Sequence, residues 1–143
     1  MKTNKNDFDI LPVITYARTS KINTEDSQCG SIEEQLQAMR HWARFNQCKI
    51  IKEYKDECIS GLDKNPPGLS HMLDDIKHAL IDPSYIVVCN FSRITRNLEV
   101  YDCYRYVTTS IMVNTISLSE SCTCIPELLD HECMFNCKGK FIY

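Results

Sequence analysis

The chain has 143 residues and a formal net charge of −3. This length suits one domain with a sizeable core, and an apolar content of 43% is typical of a globular protein. No run approaches the ~20 apolar residues of a membrane helix, and the N-terminus lacks the apolar stretch of a secretory signal. A protein that binds nucleic acid over its whole surface is usually basic, so any such contact must come from a local arginine cluster. We therefore expect an intracellular protein that is neither secreted nor bound to a membrane.

Predicted strands and helices alternate along the chain. The apolar patterns predict strands at 10–16, 48–57, 84–91 and 114–119, and helices at 31–45, 69–80 and 96–111. Ser31 and Glu34 form a Ser-x-x-Glu capping box at the first helix. This order predicts an α/β fold with three layers, in which helices flank a mostly parallel, four-to-five-stranded sheet.

Polar side chains follow three of the predicted strands. They are Arg18 and Ser20 after the first strand, Ser60 and Gly61 after the second, and Ser92, Arg93 and Arg96 after the third. Loops beyond the carboxyl ends of parallel strands gather at one edge of the sheet. A single arginine in a loop is usually only solvated, but three that converge on a serine favour a shared site.

The residue types of this site suit phosphate chemistry. No His or Asp is placed to act as a base for the serine, so acyl transfer is a poor match. Guanidinium groups match phosphate oxygens, stabilise a phosphoryl-transfer transition state and lower the pKa of a nearby hydroxyl. The chain lacks a Gly-rich phosphate loop, which argues against nucleoside triphosphates. A serine that attacks a phosphodiester and holds it covalently is the better interpretation.

Four motifs carry a family resemblance. They are YARTS at 16–20, SIEEQ at 31–35, DECISGLDKNPPGL at 56–69 and FSRITRN at 91–97. In this order and spacing they resemble the N-terminal catalytic domain of serine recombinases, the resolvase/invertase family, and are closest in pattern to its large-recombinase branch. The resemblance covers roughly residues 10 to 120 and implies a resolvase-like fold.

The resemblance also implies a mechanism. Ser20 is then the nucleophile that attacks DNA, leaving a 5′-phosphoserine link and a free 3′-hydroxyl. The residues expected to clamp the phosphate are Arg18, Arg93 and Arg96, and those expected to support the pocket are Tyr16, Gln35, Ser60 and Ser92. The family needs no metal, ATP or other cofactor, and it exchanges strands in a tetramer built from two dimers. Such a protein works wherever the host DNA resides, in the cytoplasm or elsewhere in the cell.

One position departs from the family pattern. Pro66 stands where an arginine that binds the phosphate is expected. Lys64, two residues upstream, is a candidate compensating cation, although it offers a point charge rather than a planar fork. The sequence therefore leaves open whether the chain is an active enzyme.

The resemblance divides the chain into three parts. Residues 1–9 are an N-terminal extension, 10–121 the resolvase-like catalytic domain, and 122–143 a Cys-rich segment that ends in CKGKFIY. In the family this last stretch opens a long interface helix that leads to a DNA-binding domain. We expect that domain to be absent here, so that this form binds DNA weakly, while the full-length family context allows a dimer or tetramer.

Two other functions remain open. The first is a truncated, catalytically impaired recombinase derivative that acts only by subunit pairing, as Pro66 permits. The second is a zinc-stabilised interaction module. Its weak candidate ligands are Cys122, Cys124, His131, Cys133 and Cys137, whose spacing is not that of a standard zinc site. The target DNA site and the outcome of recombination, whether integration, resolution or inversion, are not predicted.

Overall fold

Strands and helices alternate through the described part of the chain, residues 10–20 and 31–119 of a computed structural model. In chain order they are β1 (Leu11–Arg18), α1 (Ile32–Phe45), β2 (Cys48–Asp56), α2 (Pro67–Lys77), β3 (Tyr85–Val88), α3 (Leu98–Ser110) and β4 (Asn114–Ser117). A short 3-10 turn, Phe91–Arg93, lies between β3 and α3. The alternation predicted from the sequence is confirmed.

The four strands form one parallel sheet in the order β2-β1-β3-β4. In its register Tyr16 of β1 lies opposite Tyr54 of β2 and Val88 of β3, and Val88 lies opposite Ser117 of β4. All four strands therefore end at the same edge. The α/β class is confirmed, with four strands among the residues described.

Two apolar layers enclose the sheet. Successive side chains of a strand point to opposite faces, so Val13 and Ala17 of β1 pack with α1 while Ile14 and Tyr16 pack with α2 and α3. Met39 of α1 belongs to the same layer as Val13 and Ala17 and is fully buried. Burial of one such side chain stabilises the fold by about 1.5–3 kcal/mol. Because β1 buries side chains on both of its faces, the two layers together fix the position of this strand.

The start of α1 is capped as its sequence predicts. The Glu34 backbone N–H donates to Ser31 Oγ at 3.2 Å, and the Ser31 N–H donates to Glu34 Oε2 at 3.1 Å. Two N–H groups that the helix leaves without an internal partner are satisfied in this way. The capping box is confirmed.

The start of α2 is capped from another element. Pro66 occupies the N-cap position and makes no side-chain capping bond. The carboxylate of Asp56 replaces it and accepts the N–H groups of Gly68 at 2.7 Å and Leu69 at 2.9 Å. The Tyr16 hydroxyl donates to the same carboxylate at 2.6 Å. A negative charge at a helix N-terminus is favourable, and here it joins β1, β2 and α2 at the carboxyl edge.

The first strand is longer than predicted. It was expected to end at Tyr16, and it continues to Arg18, which pairs with Asp56 of β2. The side chain of Gln35 also bonds to the Arg18 backbone, so polar residues extend the strand beyond its apolar run. Arg18 therefore belongs to the sheet rather than to the following loop.

The described cysteines are Cys48, Cys58, Cys89 and Cys103, and none of these four is in a disulfide. Of these, Cys89 is buried. Within residues 10–20 and 31–119, no helix has both the length and the apolar character required for a membrane crossing.

Candidate active site

Three loops meet at the carboxyl edge of the sheet. The end of β1 is tied to the loop after β2, because the Thr19 N–H donates to the Asp56 carbonyl at 3.0 Å and the Ile59 N–H donates to the Thr19 carbonyl at 2.8 Å. The loop after β3 joins them through a bond of 2.7 Å from the Arg96 N–H to the Gly61 carbonyl. The loops that carry the predicted site residues therefore form one continuous surface.

Arg18 lies beneath this surface, with 3% of its area exposed. Its guanidinium donates from Nε to the Arg93 carbonyl at 3.1 Å, from Nη1 to Ile59 at 3.0 Å and from Nη2 to Ser92 at 2.8 Å. A buried charge is costly unless polar groups surround it, and here carbonyl dipoles do so. Arg18 thus joins the loops after β2 and β3 to the end of β1.

Gln35 fixes the backbone of Arg18. Its side chain is fully buried, donates from Nε2 to the Arg18 carbonyl at 3.1 Å and accepts the Arg18 N–H at Oε1 at 3.3 Å. The side-chain amide of Gln35 thereby binds both the N–H and the carbonyl of Arg18. Because Ser20 lies two residues further on, Gln35 limits where the chain leaves the sheet.

The two later arginines differ in exposure. Arg93 is buried and donates from Nη1 to the Arg18 carbonyl at 3.3 Å. Arg96 is exposed, and within the described ranges its guanidinium makes no hydrogen bond or ion pair. Arg96 is therefore the exposed arginine of this group, with guanidinium donors open to solvent.

Ser20 follows Thr19 at the end of the paired backbone. It is half-buried, and its hydroxyl has no hydrogen-bond partner in the described parts of the chain. The backbone of Thr19 is bonded to the loop after β2, while the side chain of Arg18 is bonded to the loop after β3. Ser20 thus leaves the sheet where these two loops meet.

The predicted supporting serines make local contacts. Ser60 is exposed, and its Oγ accepts the Leu62 N–H at 3.1 Å. The Ser92 hydroxyl donates to Asn90 Oδ1, and the Ser92 carbonyl accepts from Arg18. Both serines shape the loops in which they lie.

Tyr16 lies deeper and supports the edge through Asp56. Burial, followed by the hydrogen bond to Asp56, raises the pKa of Tyr16 well above its ordinary value. The phenol therefore stays protonated and remains a donor to the carboxylate. Asp56 belongs to the DECISG motif, but sequence reasoning gave it no role.

Pro66, which stands where the resemblance implies an arginine, helps to start α2 in this chain. Pro66 is buried, and its carbonyl accepts the Ser70 N–H in the first turn of α2 at 2.9 Å. Lys64 is exposed in the same loop, and its ammonium has no partner among the described residues. A ligand from solvent can therefore reach the side chain of Lys64 more easily than that of Pro66.

Gly61 is a residue that sequence reasoning placed at the edge without a role. A β-carbon at this position would lie 3.0 Å from Arg18 Nη2 and 3.1 Å from Arg96 Cγ. Such distances are tighter than ordinary van der Waals contacts, so the absence of a side chain allows both arginines to approach the loop.

The predicted zinc ligands, Cys122 to Cys137, lie outside the described residues. Within 10–20 and 31–119, no group of three or more His, Cys, Asp or Glu side chains is arranged to hold a metal ion. The zinc hypothesis therefore rests on sequence alone.

Comparisons with known proteins agree with this architecture. The family described as "Resolvase, N terminal domain" matches residues 13–115. No match was found among curated proteins.

Solved structures of recombinases share the fold. The N-terminal catalytic domain of TP901-1 integrase superposes with a TM-score of 0.69 at 23% identity, covering 92% of this chain and 93% of that one. A resolvase family site-specific recombinase from Streptococcus pneumoniae gives a TM-score of 0.63 at 22% identity, covering 92% and 87%. ISC1926 TnpA, an IS607-like serine recombinase, gives 0.61 at 17% identity, covering 92% and 79%. With more than half of its length matched by the family, this chain belongs to the resolvase family as a site-specific recombinase catalytic domain.

Proposed function

We propose that this domain cuts and rejoins DNA through a covalent 5′-phosphoserine at Ser20. The observation that carries the proposal is the arrangement of Arg18, whose guanidinium bonds to the carbonyls of Ile59, Ser92 and Arg93. These contacts bring the loops after β2 and β3 to the strand that ends just before Ser20. A hydroxyl next to clustered guanidinium groups suits attack on a phosphodiester.

In the proposed reaction Ser20 Oγ attacks the phosphorus and loses its proton. The bond from phosphorus to the 3′ oxygen breaks, and that oxygen leaves as a hydroxyl after taking up a proton. The 5′ phosphate stays on Ser20 as a diester. A 3′-hydroxyl from another strand then attacks the phosphoserine and releases the serine. One phosphodiester replaces another, so ATP is not required, and the proposal includes neither a metal nor another cofactor.

The three arginines contribute differently to this reaction. Arg96 is exposed, and its planar fork suits two non-bridging oxygens of the phosphate. Arg18 and Arg93 are buried below the surface, where low polarity strengthens their attraction for the negative charge of the transition state. Arg18 in addition keeps the loops together.

The supporting residues hold the catalytic groups in place and do not contact the phosphate themselves. Gln35 holds both backbone groups of Arg18, and Tyr16 fixes the Asp56 carboxylate at the start of α2. Ser60 and Ser92 stabilise the loops that carry the phosphate-binding groups. Their loss is expected to reduce the rate less than loss of Ser20.

The experiment uses thymidine 5′-(p-nitrophenyl) phosphate, which needs no knowledge of the target DNA. Attack by Ser20 releases p-nitrophenolate in place of the 3′-hydroxyl and leaves thymidine 5′-phosphate on the serine. We expect a burst of p-nitrophenolate that approaches one equivalent per chain, is absent in Ser20→Ala and is strongly slowed in Arg96→Ala. Equal release by wild type and Ser20→Ala contradicts the proposal.

The replaced arginine has its own test. If Pro66 leaves the site one donor short, Pro66→Arg increases the burst rate by up to about 10²-fold, since one transition-state donor commonly contributes that much. If Lys64 compensates, Lys64→Met slows the wild type but has a smaller effect beside Pro66→Arg. A wild-type burst as fast as that of Pro66→Arg shows that an arginine at position 66 adds no donor to the site.

A second candidate function is pairing with other subunits without catalysis, which the proline at position 66 favours. It predicts self-association by analytical ultracentrifugation together with no burst in the wild type.

Strand exchange instead requires that a dimer or tetramer form on DNA. For the chain alone we propose weak and unspecific DNA binding, and site-specific retention in a gel shift at physiological salt counts against this.

A further inference from the structure

A group of hydrogen bonds joins the loop after β2 to the start of α3. The Gly61 carbonyl accepts the Arg96 N–H at 2.7 Å and the Thr95 hydroxyl at 3.2 Å. Asn97 Nδ2 donates to the Leu62 carbonyl at 3.3 Å. We call these residues, Gly61, Leu62, Thr95 and Asn97 with the Arg96 backbone, the clasp.

Thr95 is the central member of the clasp. Its hydroxyl donates to Gly61 and accepts the Asn97 N–H at 3.0 Å, so one side chain joins both loops. Asn97 extends the same network into α3, because its Oδ1 accepts the N–H groups of Glu99 at 3.0 Å and Val100 at 3.2 Å. The clasp therefore fixes the loop after β2 against the first turn of α3.

The position of Arg96 depends on this backbone. Its guanidinium makes no hydrogen bond or ion pair with the residues described, so no polar contact with that set fixes its direction. Its Cγ lies 3.1 Å from the place where a β-carbon of Gly61 would be, and Arg18 Nη2 lies 3.0 Å from the same point. The fit of the two loops thus decides where the Arg96 side chain leaves the surface and how near it lies to Arg18.

We propose that Thr95, assisted by Asn97, is a positioning residue that aims Arg96 at the phosphate. This inference rests on the proposed function, in which Arg96 binds the scissile phosphate. A displacement of about 1 Å in a catalytic group can reduce a rate about 10²-fold, so a hydroxyl that never touches the substrate affects the reaction through Arg96. The alternative is that the Thr95 hydroxyl only stabilises a loop.

The first test compares Thr95→Val with Thr95→Ser in the burst assay with thymidine 5′-(p-nitrophenyl) phosphate. Valine keeps the shape without the hydroxyl, and we expect the burst rate to fall roughly five- to tenfold, the effect of one lost hydrogen bond. Serine restores the hydroxyl and most of the rate. Thr109→Val, the same change at an exposed position of α3, serves as the control and leaves the rate unchanged.

A double-mutant cycle shows whether Thr95 acts through Arg96. In an Arg96→Ala background, Thr95→Val is expected to cause no further loss, because the group that it positions is gone. An equal loss in both backgrounds overturns the proposal, and so does a Thr95→Ser variant as slow as Thr95→Val.

A second measurement is independent of activity. Hydrogen exchange of the Arg96 amide, followed by NMR, reports the bond to the Gly61 carbonyl. We expect exchange to accelerate at least fivefold in Thr95→Val and to stay close to wild type in Thr95→Ser, while the amide of Val87 in β3 is unchanged in both. An unchanged Arg96 amide in Thr95→Val refutes the clasp. If wild type and Ser20→Ala release equal p-nitrophenolate, the proposed function fails, and the exchange result still decides whether Thr95 positions Arg96.

Discussion

Arg18 and Arg96 differ at the residue scale, although both are arginines of one site. Replacing Arg18 with Ala leaves three carbonyl oxygens without their donor at a buried position. We expect its free energy of unfolding to fall by about 2–4 kcal/mol, because buried polar groups that lose a partner are costly. Arg96→Ala removes an exposed side chain, so its free energy of unfolding is expected to change by less than about 0.5 kcal/mol.

Urea unfolding of the two variants measures this difference in stability, and the burst assay measures their activity. The expected pattern is that Arg18→Ala loses stability and activity while Arg96→Ala loses activity alone. Similar losses of stability in both variants would show that the assigned burial is wrong.

Gly61 gives a second prediction at this scale. In Gly61→Ala the new β-carbon meets side-chain atoms, Nη2 of Arg18 and Cγ of Arg96, rather than backbone. Arg96 is exposed and can shift by the few tenths of an ångström that its contact requires, whereas Arg18 is held by three hydrogen bonds, so the same movement there strains them. We expect a loss of about 1 kcal/mol in stability. The same movement disturbs the phosphate site, so the burst rate is expected to fall about 10-fold or more.

The matched control for this variant is Gly68→Ala. There the β-carbon would lie 2.2 Å from the Lys55 carbonyl oxygen, which is backbone and cannot move aside easily. Thermal unfolding should therefore show a large loss in Gly68→Ala and a small one in Gly61→Ala. The reverse order would contradict the expectation that the side chains next to Gly61 give way more easily than the Lys55 backbone next to Gly68.

At the element scale, α2 depends on a cap that is distant in sequence. Asp56→Ala removes the acceptor of two backbone N–H groups and of the Tyr16 hydroxyl. We expect a loss of about 2–4 kcal/mol in the free energy of unfolding, more than a typical exposed cap, because Asp56 is buried. Asp74→Ala, an exposed acid on the same helix, is the control and should change stability by less than about 0.5 kcal/mol. Equal urea midpoints for the two variants would exclude this role of Asp56.

The two capped helices show what the sequence can and cannot predict. The cap of α1 lies within four residues, so the spacing of Ser31 and Glu34 alone identifies them as a pair. The cap of α2 comes from Asp56, which precedes Gly68 by twelve residues, and its contact depends on how β2 enters the sheet. Local patterns predict local contacts, whereas the strand order decides the distant ones.

The candidate site shows the same limit. The convergence of three loops was predictable, because parallel strands end at one edge. The burial of Arg18 was not, since its three carbonyl acceptors lie 41 to 75 residues away and none is marked by its side-chain type. The clasp was missed for a similar reason, because a backbone carbonyl such as that of Gly61 leaves no signature in the sequence.

At the scale of the whole molecule, we expect stability in acid to depend on a contact between β2 and α2. Asp75 accepts Lys52 Nζ at 2.7 Å and the Tyr54 hydroxyl at 2.6 Å. The bond from Lys52 has the largest effect and that from Tyr54 the next, and together they hold the pKa of Asp75 below its ordinary value. A carboxylate with a lowered folded pKa stabilises the fold above its unfolded pKa of about 3.9, and that contribution is lost as the pH falls through the lower folded value.

The measurement is the urea midpoint at about pH 6 and at about pH 3. Wild type is expected to lose more stability between these conditions than Asp75→Asn, in which the titrating group is gone. The same loss in both proteins would show that Asp75 does not contribute to the pH dependence.

The identity of the covalent link tests the central claim most directly. Wild-type protein is incubated with thymidine 5′-(p-nitrophenyl) phosphate, digested and analysed by mass spectrometry for a modified residue. We expect one thymidine 5′-phosphate on Ser20, absent in Ser20→Ala and greatly reduced in Arg96→Ala. A nucleotide attached to another residue, or a wild-type chain that stays unmodified while Pro66→Arg also stays unmodified, would contradict it.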